Sequence, residues 1–141
     1  MIVLDTNVVS ELMRAAPAPA VLEWLRRHQD DGLCTTAITV AEVRHGVARL
    51  PDSRRRDSLH QAATEIFAAF PHQVLPFDLA AANAYADVVA GRERLGRTID
   101  GFDAQIAAVC RVHAAALATR NTKDFKDTGI AIVDPWRVGA G

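Results

Sequence analysis

The sequence predicts a three-layer α/β domain, with helices on both faces of a mainly parallel central sheet of about four to five strands. Three observations carry this. Short apolar runs recur along the chain, and segments of helical period separate them. The first run, Ile2-Val3-Leu4, is apolar without alternation, as strands covered on both faces are. The chain has 141 residues, 50% of them hydrophobic and 23% charged, which suits one globular domain over residues 1–141.

The elements follow in order. After the first strand, Asp5-Thr6-Asn7 offers N-cap chemistry, and a short helix is expected over Val8–Met13. Pro17 and Pro19 interrupt it, and Val21–His28 is helical again. Asp30-Asp31-Gly32 is a turn and Leu33–Thr36 the second strand. Thr39–Leu50 is a helix, because Val40, Val43, Val47 and Leu50 recur at three- and four-residue spacing. Pro51-Asp52-Ser53 opens the next helix, which runs through Phe70 to Pro71. Gln73–Pro76 is a third strand. Asp78 caps a long helix to about Arg97, with Gly91 its weak point. Asp100 caps another, carrying Phe102, Ile106, Val109, Cys110 and His113. Ala115–Thr119 and Ala131–Val133 are the last strands, and the tail from Asp134 to Gly141 is irregular.

Composition excludes several classes. No apolar run approaches the roughly 18 residues of a membrane span. Asp5 interrupts the N-terminal apolar stretch, and no basic segment precedes it, which argues against a secretory signal. Cys34 and Cys110 lack motif spacing and are expected to be buried thiols of a cytoplasmic protein. Net charge is −1, but 14 of the 16 basic residues are Arg, whose planar fork suits phosphate.

Ligands of open α/β sheets bind beyond the carboxyl ends of the strands. Asp5 stands there, and Thr6 or Asn7 would cap the following helix as well as it does. Glu42 lies off the apolar stripe of its helix, with only His45 as a helical-spacing basic neighbour. Asp100 and Asp103 stand at a helix start, where one acid satisfies the free amides. Asp103 also borders the small apolar face of Ile106, Ala107 and Cys110. Asn121 and Asp124 follow another strand end. Gathered in one pocket, such carboxylates repel one another, and a hard divalent cation relieves the repulsion. Scattered histidines, at 28, 45, 60, 72 and 113, offer no competing zinc site.

Four segments then carry a resemblance that spans essentially the whole chain: Ile2–Glu11 with Asp5-Thr6-Asn7, Ile38–Gly46 around Glu42, Asp100–Ala108 around Asp103, and Ala118–Phe125 around Asn121. The late Asp134-Pro135-Trp136 fits as well. The chain resembles the PIN-domain nucleases, and among them the VapC-type toxins of bacterial toxin–antitoxin pairs, FitB-like branch. The resemblance implies an endoribonuclease dependent on Mg²⁺, with Mn²⁺ as substitute. Its acids match Asp5, Glu42 and Asp103, with Asp100 accessory. The fourth acidic position falls on Asn121, a departure that Asp124 would have to make good. Thr6 would position Asp5 or a water, and Glu42 or Asp103 would take the water's proton. Arg92, Arg94 and Arg97 immediately precede the acidic helix, where they would either guide RNA phosphates or simply complement the dipole at a helix end. Implied partners are a VapB/FitA-type antitoxin, operator DNA reached only through that antitoxin, RNA as substrate and a second copy of the chain, with no membrane. The competing reading is a PIN-like binding module of little or no activity, because of Asn121. A phosphoryl-accepting domain is disfavoured, since Asp5-Thr6-Asn7 lacks the second acid that such sites place after the first strand.

Overall fold

The computed structural model describes residues 1–70 and 73–137. Its strands are β1 (Ile2–Leu4), β2 (Leu33–Thr36), β3 (Val74–Leu75), β4 (Ala116–Ala118) and β5 (Ile132–Val133). They form one five-stranded sheet in the order β3-β2-β1-β4-β5, with every neighbouring pair parallel. The helices are α1 (Thr6–Leu12), α2 (Pro19–Arg27), α3 (Ala37–Ala48), α4 (Arg54–Ala68), α5 (Leu79–Arg94) and α6 (Gly101–Val112), with a 3-10 turn at Thr122–Phe125. Pro71, His72 and the end of the predicted irregular tail lie outside the described residues.

The uniform apolarity of the central strands has its reason in the two layers. Val3 and Leu117 point to one face and pack with Ala81 and Val88 of α5, Ile106 and Val109 of α6, and Phe125. Leu4 and Ala118 point to the other and pack with Val8, Val9, Val21, Trp24, Val43 and Ala63. Adjacent residues of β1 thus serve opposite cores, as the two-residue period of a strand requires. Among the described residues no helix is long and apolar enough to cross a membrane. Both cysteines are free and buried, and burial pushes the Cys34 thiol up to about 11.

The boundaries differ from the predicted ones at instructive places. Helix α1 begins at Thr6, so Asp5 occupies its N-cap position, yet the Asp5 carboxylate makes no side-chain cap bond there. Pro19 does not break a helix but starts α2, where its missing N–H is harmless. The Thr36 hydroxyl caps α3 by accepting from the Thr39 amide at 3.1 Å, which moves the start two residues before the predicted Thr39. Ser53 caps α4, Asp78 caps α5 and Asp100 caps α6 through their side chains. Helix α5 stops at Arg94, short of Arg97, because Gly96 turns left-handed at φ +70°. The amides of Gly96 and Arg97 then return to the carbonyls of Glu93 and Arg92. The helix runs through Gly91 unbroken.

Candidate active site

Strand register builds the site. Leu4 pairs with Ala118, so the next residues, Asp5 and Thr119, leave the carboxyl edge of the sheet side by side. The Thr119 hydroxyl donates to Asp5 Oδ2 at 2.7 Å, and Asn7 Nδ2 donates to the same oxygen at 3.1 Å. Thr119 Oγ1 in turn accepts from Asn7 Nδ2 and from the Asn121 amide. The Asp5 carboxylate is therefore oriented by two polar side chains, Thr119 and Asn7, one from beyond each central strand end. Glu42 comes from α3, and the Thr6 hydroxyl donates to its Oε1 at 2.9 Å. The Thr6 hydroxyl also lies 3.2 Å from the buried Thr39 hydroxyl. Thr6 thus holds Glu42 through its hydroxyl, while its backbone amide bonds the Asp5 carboxylate that the sequence paired it with. Asp103 enters from the first turn of α6, below the Asp100 cap.

Asp5, Glu42, Asp103 and Asn121 line one cleft of about 610 Å³, together with Thr6, Asn7, Ser10, Glu11, Arg14, Arg120 and Trp136. Asp100 and Asp124 are exposed and stand outside that lining, but their charges reach it. The electrostatics are those of crowded acid. Burial raises the Asp5 carboxyl above its usual range against the pull of Thr119, the Thr6 amide and Asn7. Burial likewise raises Glu42, and Asp5 and Asp100 add to it. Asp103 is pushed up to about 7, first by burial and then by Asp5, Asp100, Asp124 and Glu42. Among the described residues, however, no three His, Cys, Asp or Glu side chains are drawn up round a single point.

Of the three arginines singled out in the sequence, Arg92 and Arg97 are engaged within the fold. Arg92 is 6% exposed, and its guanidinium donates to the carbonyls of Thr98, Asp124 and Lys126 at 2.7–2.9 Å. A phosphate cannot reach it, because α5 turns that face inward. Arg97 is paired with Asp127 at 2.8 Å. Arg94 is exposed but does not line the cleft. Arg14 and Arg120 line it instead. Arg14 bridges to Glu11, and Arg120 lies over the Trp136 ring at 5.0 Å. Glu11 is buried and also accepts from the Ala18 amide at 2.9 Å, which holds its carboxyl below the usual range. Sequence reasoning missed Asn7, Thr39 and Thr119 as orienting groups. Their one signal was polarity at the ends of apolar runs.

Fold and cleft define the class: a parallel α/β domain whose acids gather at the carboxyl edge of the sheet. The PIN domain family model matches residues 2–131. The VapC ribonuclease Y4jK of Sinorhizobium fredii is 43% identical over 137 residues, 96% of this chain and 98% of that protein. Toxin FitB of Neisseria gonorrhoeae is 37% identical over 96% of this chain and 99% of its own length. The structure of FitAB bound to an IR36 DNA fragment superposes with a TM-score of 0.90 at 37% identity, covering 98% of this chain and 97% of that one. The chain belongs to the PIN-domain family.

Proposed function

We propose that this protein is a metal-dependent endoribonuclease toxin, held inactive by a cognate antitoxin. The observation that supports it best is the convergence of Asp5, Glu42 and Asp103, from three different elements, on one cleft that also bears arginines. A cleft in which Asp5, Glu42 and Asp103 are all pushed toward their protonated forms gains from a bound cation, and its donors are oxygen, which suits Mg²⁺ or Mn²⁺. Asp5, Glu42 and Asp103 would hold the ion, with Asn121 beside them in place of a further acid. When bound, it supplies Lewis acidity and positive charge at the scissile phosphate. The chain's own groups do the rest. Thr119 and Asn7 fix the Asp5 carboxylate, and Thr6 fixes Glu42. Glu42 or Asp103 accepts the proton of the attacking water at a carboxylate oxygen. Arg14 and Arg120 at the cleft, and Arg94 farther out, meet RNA phosphates.

An apolar groove of about 850 Å³ adjoins the cleft and shares Thr6, Ser10, Arg14 and Glu42 with it. Met13, Val43, Val47, Leu50 and Leu59 line it. An antitoxin segment laid there would cover the acids, and the protein would contact operator DNA only through that partner. Pairing of two copies and a cytoplasmic place belong to the same reading.

Asn121 and the absence of a ready three-acid cage among the described residues favour a second reading, a binding module with little turnover. One experiment separates them. Purified protein is incubated with total RNA in Mn²⁺, in Mg²⁺ and in chelator, alongside Asp5→Ala and Asp103→Asn. The enzyme predicts cleavage that needs the ion and falls at least about 100-fold in both variants. Thermal unfolding on the same samples should rise with Mn²⁺ in the wild type, by about 2.7 kcal/mol at 100 Kd, and less in Asp103→Asn. RNA binding without cleavage by the wild type would instead establish the module.

A further inference from the structure

A buried guanidinium that meets only backbone carbonyls is unusual, because burying a charge is expensive without compensation. Arg92 is such a group: it sits on the last turn of α5, and its Nε has no hydrogen-bond partner among the described residues. Its Nη2 donates to Thr98, two residues before the Asp100 cap that opens α6 and presents Asp103. Its Nη1 donates to Asp124 and Lys126, in the segment that follows Asn121. The two segments flank the cleft, and Arg97 with Asp127 ties them a second time at the surface. The second segment needs holding: Asp127 has φ +60° and Gly129 φ +80°, conformations that do not propagate regular structure. Phe125, fully buried, and the Thr128 hydroxyl on the Phe125 carbonyl anchor only its middle.

We propose that Arg92 is a positioning residue, fixing the separation between the Asp100–Asp103 helix start and the Asn121–Asp124 segment. This rests on the ribonuclease reading for its effect on rate. The forces that shift Asp103 are burial and other acids, so Arg92 acts through the backbone it grips. Only a planar fork with several donors reaches three carbonyls at once; a lysine ammonium concentrates its donors at one point. Misplacement of a reacting group by about 1 Å costs on the order of 100-fold in rate.

The test compares Arg92→Met and Arg92→Lys with wild type. Steady-state cleavage of an RNA oligonucleotide should show kcat down about 100-fold in Arg92→Met with KM within about threefold, and partial rescue in Arg92→Lys. Amide hydrogen exchange should show residues 98–103 and 122–128 losing protection together, while β1 and β4 keep theirs. A raised KM with a flattened salt dependence would overturn the proposal in favour of a phosphate contact. Unchanged kcat and unchanged exchange would overturn it outright. If Arg92→Met does not fold, Arg92→Lys and Arg97→Ala carry the same comparison. If the wild type cleaves no RNA, the ribonuclease reading fails, and the paired loss of exchange protection alone decides for or against Arg92 as the tie.

Discussion

Asp103 concentrates the physics of the cleft in one carboxyl. Burial and the surrounding acids push its carboxyl up to about 7 in the folded protein, from an ordinary value near 3.8. The folded protein therefore binds the carboxyl proton more tightly than the unfolded chain does. The sign follows from linkage: no penalty below the unfolded value, and a growing loss of stability as pH rises through 7. Metal-free Asp103→Asn should then be more stable than wild type at pH 8, by about 1 kcal/mol once solvent screening of the half-buried carboxyl is allowed for, and nearly equal to it at pH 4. Denaturant unfolding at the two pH values checks this, and equal stabilities at pH 8 would show that the carboxyl is not crowded. Saturating Mn²⁺ should shrink the difference, because the cation takes over the compensation. The residue scale was half legible. Asp5 and Asp103 could be picked out by their places at element ends, whereas Glu42, in mid-helix, reads alone as a solvated surface residue and entered only through the resemblance. Thr119 could not, because its bond to Asp5 spans 114 residues and depends on β1 lying beside β4.

Two helices end in the same way with different residues. At the end of α5, Gly96 takes φ +70°, and the amides of Gly96 and Arg97 cap Glu93 and Arg92. At the end of α6, Ala114 takes φ +50°, and the amides of Ala114 and Ala115 cap Arg111 and Cys110. A left-handed residue with a Cβ costs roughly 1–2 kcal/mol, which glycine avoids. A Cβ at Gly96 meets nothing within 4 Å, so the backbone alone decides there. Gly96→Ala should lower stability by about 1 kcal/mol, and Ala114→Gly should raise it by a similar amount. Thermal unfolding checks both; shifts of the same sign would refute the shared geometry. At this scale the sequence was legible where a cap acts locally, as with Asp78 and Asp100. It misled at Pro19, which reads as a stop yet starts a helix, and at Arg97, where Gly96 ends the helix first.

Across the whole molecule, the acid cleft and the apolar groove are one continuous surface, joined through Thr6, Ser10, Arg14 and Glu42. A partner segment seated in the groove would reach the acids without refolding the toxin. Leu59, on α4, lines the groove but not the cleft. Leu59→Lys should therefore weaken inhibition by the cognate antitoxin at least about tenfold while leaving free cleavage near wild type. Titration of cleavage against antitoxin measures this, and unchanged inhibition would move the antitoxin elsewhere.

The sequence by itself determined the layers, the central place of β1 and the three acids at the carboxyl edge. Apolar period and capping residues act over a few positions, so neighbours in the chain encode them. Only the tertiary structure decided which arginines face the cleft. Arg92, Arg94 and Arg97 look alike in the chain, yet the turn of α5 against the 122–128 segment buries the first, exposes the second and pairs the third. Arg14 and Arg120 reach the acids because chain segments far apart in sequence meet there. Side-chain direction at such a meeting depends on strand order and helix rotation, which no local pattern records.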